Sequence, residues 1–281
     1  MGTERRKDRM RTMVGVALVV AGAMGAVVRA DELSVDQIVD RGLRANYYKG
    51  SDGRARVKMS ILDTQGRERS RELTILRKDA LPEGEDDAED TFLGDQKFYV
   101  YFHRPSDVRK MVFMVWKHTA SDDDRWLYLP SLDLVKRIAS SEERTSFAGS
   151  HFFYEDVSGR NKNEDTHELV ETTENYYVLK STPKNPDEVE FAYSRMWLHK
   201  DTFIATQTKY YDESGENYRT YTALKVEEID GYPTVTKSRM EDSRIGGHTD
   251  LEYSGVQYDM GLPDNIFTER YLRRPPVQHL R

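Results

Sequence analysis

The stretch RARVKMSIL at residues 54–62 shows the pattern that decides the fold. Apolar side chains stand at every second position from Ala55 to Ile61, and charged or polar side chains fill the positions between, from Arg54 to Ser60. Successive side chains of a β-strand point to opposite faces of a sheet. The stretch therefore predicts a strand with one face against a core and the other in water.

The same two-residue rhythm recurs along the chain. Further strand candidates lie at 68–77, 97–103, 110–118, 124–129, 134–140, 165–172, 175–182, 188–199, 202–211, 217–228, 232–241 and 248–258. The segment KMVFMVWKH at 110–118 is apolar on both faces, which is typical of a strand covered twice. We expect a mainly β protein whose predominantly antiparallel sheet has about ten or eleven strands.

One amphipathic helix precedes the strands. Ser34 stands three residues before Gln37, as in a capping box, and apolar residues then recur at helical spacing up to Leu43. We expect a helix from Ser34 to Asn46, weakened by Gly42. A sheet of many long strands tends to curl, so we predict an unclosed β-barrel with this helix as a lid or plug. The mouth of such a barrel is a common site for apolar ligands.

The first thirty residues are typical of an export signal. A basic start is followed by the apolar run MVGVALVVAGAMGAVV at 13–28 and by a small residue, Ala30. We expect cleavage after Ala30 and a single mature domain at 31–281. An uncleaved membrane anchor is the less favoured alternative, because the run is short for a spanning helix.

The charge and the cysteine count limit the class of protein. Residues 1–30 hold six basic and two acidic residues, so the remainder of this chain of net charge −7 carries −11. Phosphate binding needs a positive surface, and we expect no nucleic-acid partner and no stable membrane insertion. The chain has no Cys, which excludes the acylated cysteine of a bacterial lipoprotein. These features favour a protein free in the bacterial periplasm.

Few residue patterns indicate chemistry. The seven His residues are scattered without metal-ligand spacing, and no nucleophile elbow or phosphate-binding loop occurs. His151 lies among aromatics and is interpreted as structural rather than as a general base. We expect no enzyme, no metal and no cofactor. A membrane β-barrel is a further alternative, disfavoured because TVTKSRM at 234–240 has no face suited to lipid.

The aromatic-rich stretch DRWLYLPSLDLVKRIASSEERTSFAGSHFFYED at 124–156 leaves two interpretations open. Its aromatics are either ordinary sheet core, where such residues are favoured, or the wall of a ligand cavity. Register decides between them, because a shift of one residue exchanges the two faces of a strand.

This stretch also resembles a known family. WLYLPSLDLVKRI at 126–138 and SFAGSHFFYEDV at 146–157 resemble the paired signature of the outer-membrane lipoprotein-sorting protein family, the LolA-like carriers. Supporting similarities are HRPSDVRKMVFMVWKH at 103–118, WLHKDTFIATQTKYYD at 197–212, DGYPTVTKSRM at 230–240 and LPDNIFTERYL at 262–272. The resemblance extends from Ser34 to Leu272.

The resemblance implies an unclosed barrel with an apolar interior for acyl chains, hence a periplasmic carrier of lipids or acylated proteins. It also implies an inner-membrane exporter of the resistance–nodulation–division (RND) class as a partner, and an outer-membrane acceptor. The expected ligand-binding residues are Trp126, Tyr128, Leu129, Phe147, Phe152, Tyr154, Met111, Phe113 and Val115. Arg137 is a candidate for a headgroup or rim contact, whereas Glu155 and Asp156 are expected to form rim or structural pairs.

The alternative function is an adaptor of an export system, with the same fold and an interior filled by side chains. Two departures from the family pattern bear on the cargo. His151 stands where the family usually has an acidic residue, and the acidic segment at 81–95 is longer than is typical.

Overall fold

The computed structural model of the chain describes Met1, residues 32–80 and residues 93–281. The chain divides into two units, Met1–Glu32 and Leu33–Arg281, and the sheet belongs to the second. The predicted signal peptide at 1–30, beyond Met1, and most of the acidic segment at 81–95 lie outside the described residues. Among the residues that are described, no helix is long and apolar enough to cross a membrane.

Helix α1, Val35–Tyr47, begins where the capping pattern predicts. The Ser34 hydroxyl accepts a hydrogen bond from the backbone N–H of Gln37 at 3.2 Å, and the Gln37 side chain accepts one from the backbone N–H of Ser34 at 2.9 Å. This reciprocal pair satisfies two N–H groups that have no partner inside the helix. Ile38 and Val39 are buried, so the predicted amphipathic helix is confirmed.

Thirteen antiparallel strands form one sheet in the described part of the chain. They are β1 Asp52–Leu62, β2 Glu68–Asp79, β3 Gln96–Arg104, β4 Val112–Lys117, β5 Asp124–Leu129, β6 Leu134–Ile138, β7 Asp165–Thr172, β8 Tyr176–Pro183, β9 Tyr193–His199, β10 Ala205–Tyr211, β11 Asn217–Ile229, β12 Tyr232–Asp242 and β13 His248–Tyr258. The expected number of ten or eleven was too low. Each of the thirteen candidate stretches forms a strand, so the positions were predicted although the total was underestimated. Strands β4 to β6 have only five or six residues each.

The order of the strands explains why the barrel stays open. It runs β6-β5-β4-β3-β2-β1-β13-β12-β11-β10-β9-β8-β7, so two meanders join where β1 pairs with β13. Strands β6 and β7 follow one another in sequence yet form the two opposite edges of the sheet. Residues 139–164, which we call the crossing segment, must therefore pass from one edge to the other. This segment contains the short helix α2, Tyr154–Ser158.

The sheet buries both of its faces in the first meander. Strand β4 shows this most clearly, because Phe113 and Val115 join one hydrophobic cluster whereas Val112 and Met114 join another. The first cluster lies on the face that we call inner, together with the crossing segment, which contributes Phe147. The prediction of a strand covered twice at 110–118 is confirmed.

Residues 260–281, which we call the C-terminal segment, cover the second, outer face. Leu262, Phe267 and Leu272, the last of them in helix α3 (Arg270–Arg273), are buried in the second cluster. Two side chains of the sheet donate hydrogen bonds to backbone oxygens of this segment. The indole N–H of Trp116 bonds Phe267 at 2.7 Å, and the Tyr99 hydroxyl bonds the carbonyl of Tyr271 at 2.7 Å.

Candidate ligand-binding site

The inner face of the sheet, α1 and the crossing segment enclose a cavity of about 400 Å³. This volume lies within the range of about 300–1,000 Å³ that is usual for small-molecule sites. Strands β1 to β3 and β7 to β13 supply the walls, and the described residues of β4, β5 and β6 supply none. The cavity thus lies over one part of the sheet only.

Apolar side chains make up most of the wall. They include Val39, Leu43, Val57, Met59, Leu73, Ile75, Phe98, Phe147, Phe152, Leu179, Met196, Leu198, Met240, Leu251 and Val256. Five tyrosines, Tyr47, Tyr210, Tyr221, Tyr253 and Tyr258, stand among them. Burial raises the pKa of each tyrosine hydroxyl, so these groups stay neutral at physiological pH. The wall is chemically suited to a hydrocarbon ligand.

Gly42 allows α1 to lie close to this wall. A Cβ atom at Gly42 would stand 2.9 Å from the Cδ1 atom of Leu198 on β9, closer than side chains normally approach. The glycine costs the helix about 0.5–1 kcal/mol relative to alanine. The same glycine lets the helix backbone approach the sheet, and Gly42 is itself part of the cavity wall.

The crossing segment carries a network of buried ion pairs beside the cavity. Glu155, only 3% exposed, faces the guanidinium groups of Arg144 and Arg160. Arg144 also binds Glu190, with 2.5 Å between Nη2 and Oε1, and Arg160 binds Asp165 at 3.1 Å. Burial alone would raise the pKa of Glu155, but the two arginines reverse this and lower it. The network therefore holds a charged carboxylate in the protein interior.

Three carboxylates of this network meet closely enough to suggest a cation site. One oxygen each from Glu143, Glu155 and Glu164 lies within 4.8 Å of the others. Arginines already balance them, because Arg125 lies 2.5 Å from Glu143 and Arg160 lies 2.6 Å from Glu164. Burial raises the pKa of Glu143 to about 7. We interpret the cluster as part of the ion-pair network, which anchors the crossing segment to the sheet.

Two of the predicted binding residues, Phe147 and Phe152, line the cavity. Both belong to the crossing segment and are buried in the inner cluster. Their role in binding a ligand stays a prediction, because their position alone does not test it.

Five further predicted residues lie on the inner face but away from the cavity wall. Met111, Phe113 and Val115 are buried in the inner cluster, and Leu129 and Tyr154 pack against it. The Phe113 ring lies 5.5 Å from that of Phe147 and 5.0 Å from that of Tyr154, measured between centroids. These residues form a close-packed aromatic core beside the cavity.

The other predicted residues are on the outer face. Alternation along β5 directs Leu127 into the inner cluster, whereas Trp126 and Tyr128 join the outer cluster under the C-terminal segment. Arg137, on the edge strand β6, lies over the Trp126 ring at 5.1 Å and pairs with Asp124. The sheet therefore separates these residues from the cavity, and the register places them differently from the prediction.

His151 has a structural environment. Its side chain is buried, with Nδ1 2.8 Å from the Thr249 hydroxyl and Nε2 2.9 Å from the carbonyl oxygen of Gly246. Both ring nitrogens are thus engaged, and the imidazole fixes the crossing segment to β13. This agrees with the interpretation of His151 as structural.

Sequence reasoning missed most of the wall on α1 and on the second meander. Small and polar side chains there make room for the cavity, among them Ser181, Ser194, Ala205 and Thr208. The only signal in the sequence is their alternation with larger residues on one face of a strand. That pattern is also found on ordinary half-buried strands, so it did not identify them.

Comparisons with known proteins agree with this architecture. A sequence model of a family described as uncharacterized proteins matches residues 94–274. The crystal structure of a DUF1329 family protein from Desulfovibrio piger is 29% identical, with a TM-score of 0.73 over 85% of this chain and 98% of that one. A putative outer membrane lipoprotein-sorting protein domain from Vibrio parahaemolyticus is 26% identical, with a TM-score of 0.72 over 84% of this chain and 97% of its own.

A LolA superfamily protein from Nitrosomonas europaea shares the fold at 20% identity, with a TM-score of 0.63 over 85% of this chain and all of that one. No curated protein matches the chain. The resemblance to the outer-membrane lipoprotein-sorting family and the expected fold class, an unclosed antiparallel barrel, are both confirmed.

Proposed function

The chain belongs to the DUF1329 family, and we propose that it is a periplasmic carrier that binds the acyl chains of lipids or lipoproteins in the cavity under α1. One observation carries the proposal: the curled sheet encloses about 400 Å³ of apolar space that its own side chains leave open. The lipoprotein-sorting description of the relative from Vibrio parahaemolyticus supports the same class of cargo.

The energetics suit a carrier. An acyl chain gains about 0.8 kcal/mol for each CH₂ group that leaves water, so ten buried CH₂ groups gain about 8 kcal/mol. Association and ordering cost about 4–15 kcal/mol. At the lower end of this cost the net gain is about 4 kcal/mol, which corresponds to a Kd of about 1 mM, and each further buried CH₂ group strengthens binding. A carrier needs such an affinity because it must also release its cargo.

The function requires no chemical step. In our proposal the protein is not an enzyme and uses no cofactor. Residues 1–30 direct the chain across the inner membrane and are cleaved, which leaves residues 31–281 as one carrier domain free in the periplasm.

Release needs a partner that changes the packing of the cavity wall. We propose an RND-type exporter of the inner membrane as the donor or acceptor of cargo, together with an acceptor at the outer membrane. The crossing segment and α1 supply most of the wall residues that belong to no strand, so docking of a partner would act on them.

The test is to recover the mature protein from a periplasm and to analyse it by native mass spectrometry. We expect a bound mass that organic solvent extracts as lipid, and a dansyl-labelled undecanoate that binds the stripped protein with increased fluorescence. Ala55, on β1 in the cavity wall, offers a blocking variant. Ala55→Phe would fill the cavity and reduce probe binding at least tenfold.

The matched control is Ala223→Phe, on β11 outside the described cavity wall. It should bind the probe as the parent protein does. The adaptor alternative requires a filled interior. Repeated preparations without lipid, and a parent protein that never binds the probe, would favour the adaptor and overturn the carrier.

A further inference from the structure

Most charged side chains of the cavity wall are neutralised within the protein. Glu155 and Asp165 pair with Arg160, Asp156 pairs with Arg219, and Lys162 pairs with Asp40. These pairs leave little charge for a ligand in the part of the wall that the crossing segment forms.

Lys49, just after α1, differs from them. It lines the cavity and is partly buried, and its ammonium group has no hydrogen bond or ion pair with any described residue. Burial and the positive charge of Arg77 lower the pKa of Lys49 to about 8. No carboxylate counteracts these two effects. The wall therefore contains a cation that lacks a counter-charge among the described side chains.

One more cation stands in the same part of the wall. Arg77 lines the cavity beside Gly53 at the start of β1. Arg77 binds Asp79, with 2.5 Å between Nη1 and Oδ1, and it also donates to the backbone oxygens of Lys49 and Gly50. The side chain of Arg54 points to the other face of β1, where its guanidinium donates to the backbone oxygen of Arg281 and to the Gln257 side chain.

Hydroxyl groups complete this end of the cavity. Tyr258 is paired in register with Gly53, and its hydroxyl lies 2.8 Å from that of Thr234. Both residues line the cavity. Lys49 and Arg77 with these two hydroxyls form what we call the cationic end. It offers donors of the kind that bind carboxylate and phosphate oxygens.

The apolar wall continues from the cationic end along the strands. On β1 the cavity wall runs from Gly53 through Val57 to Met59, and six residues of a strand span about 20 Å. Leu73 on β2 and Leu251 on β13 extend the same surface. One long cavity thus has charge at one end and hydrocarbon along its length.

From this arrangement we propose that the cargo is an anionic amphiphile whose carboxylate or phosphoryl headgroup pairs with Lys49 while its acyl chain lies along β1 toward Met59. The inference rests on the proposed carrier function and names the class of its ligand. A neutral lipid would leave the ammonium group without a counter-charge, which is costly for a buried cation.

The experiment is calorimetric titration of the stripped mature protein with dodecanoate, dodecyl phosphate and dodecanol, each below its micellar concentration. We expect at least one of the two anions to bind about tenfold more tightly than dodecanol, as a charge-assisted hydrogen bond provides. The tighter of the two identifies the headgroup as carboxylate or phosphoryl. Acetate and inorganic phosphate should not bind, because they lack the chain.

Lys49→Met should abolish the preference for anions and leave dodecanol binding unchanged, whereas Lys49→Arg should retain the preference. Lys58→Met, on the exposed face of β1, is the matched control and should behave as the parent protein does. Circular dichroism and thermal unfolding establish that each variant is folded.

The possible failures are distinguishable. Equal binding of all three amphiphiles by the parent protein would overturn the headgroup inference but support the carrier function. A preference that survives in Lys49→Met would overturn the role of Lys49. If none of the amphiphiles binds to the folded parent protein, the carrier function and the inference fall together.

Discussion

Two neighbouring regions of the sheet bury their apolar inner faces in different ways. In the packed region, β3 to β6 with the first part of the crossing segment, the rings of Phe102, Phe113, Phe147 and Tyr154 fill the space, with centroid distances of 5.0–5.7 Å. In the hollow region, α1 with β7 to β13, shorter side chains leave the cavity open. Of the aromatic residues at 124–156, Phe147 and Phe152 line the cavity, whereas Trp126, Tyr128 and Tyr154 pack elsewhere.

The difference also shows what keeps the hollow region open. Helix α1 bridges it, and Gly42 sets how closely the helix approaches β9. Core positions of the packed region carry rings, whereas Ser181, Ser194 and Thr208 occupy inward positions of the hollow region. A close-packed core leaves no space larger than a water molecule, so the small side chains determine the cavity.

The largest expected effect tests the packed region. Phe113 is fully buried among other rings, and Phe113→Ala should lower the free energy of unfolding by about 3–5 kcal/mol. Urea unfolding followed by fluorescence measures it. A loss below about 1.5 kcal/mol would mean that this region is not close-packed and would remove the contrast between the two regions.

A matched pair of leucines compares the regions directly. Leu127 on β5 and Leu251 on β13 are both 8% exposed, but only Leu251 lines the cavity. Leu127→Ala should cost about 3–4 kcal/mol, within the usual range for leucine cores. Leu251→Ala should cost about 2 kcal/mol, because one side of Leu251 has no packing partner to lose. Equal losses in urea unfolding would contradict the comparison.

Replacing Lys49 is expected to raise the free energy of unfolding, by less than the leucine substitutions lower it. Its pKa is lowered to about 8 from an ordinary value of 10.5, so the folded state binds this proton less tightly than the unfolded chain does. The charged ammonium group of Lys49 therefore destabilises the folded state fully below about pH 8, and this penalty disappears as the pH rises to 10.5. Lys49→Met should therefore stabilise the protein by about 1–2 kcal/mol at pH 7, after allowance for partial exposure.

The measurement is the unfolding free energy of the parent protein and of Lys49→Met at several values from about pH 7 to about pH 11. This range covers both the lowered and the ordinary pKa of Lys49. The two should converge at the alkaline end, and Lys58→Met should show no such pH dependence. Destabilisation by Lys49→Met at pH 7 would reveal a partner for the ammonium group and would weaken the case for an anionic ligand.

The smallest effect is expected at Arg137. This residue lies on the outer face, so Arg137→Ala should change the free energy of unfolding by less than about 1 kcal/mol, as for other exposed ion pairs. Binding of the dansyl probe should be unaltered. A marked loss of probe affinity would restore Arg137 as a headgroup contact and would place the ligand at the outer face of the sheet.

Much of the fold could be predicted from local patterns. The capping box at Ser34 fixed the start of α1, and alternation identified β1 and most later strands, because one face of each was buried. The total number of strands was underestimated, although all thirteen strands, including the short strands β4 to β6, overlap a candidate stretch.

The cavity could be predicted only as a consequence of curling. Which residues line it depends on register and on how the crossing segment lies, and both are set by contacts between residues far apart in sequence. Trp126 and Leu127 are neighbours in sequence, yet the strand directs them to opposite faces. Lys49 carried no signal at all, because an unpaired lysine in a sequence is usually a solvated one.

The two free edges of the sheet have a consequence for the range of ligands. The diameter of a closed barrel is fixed by its number of strands and their stagger. Here β6 and β7 do not pair, and ion pairs from residues 139–164 reach the strands near each edge instead, from Glu143 to Arg125 of β5 and from Arg160 to Asp165 of β7. A change in the spacing of the two edges breaks no ladder hydrogen bond between β6 and β7, so we expect the cavity to accept ligands of different thickness.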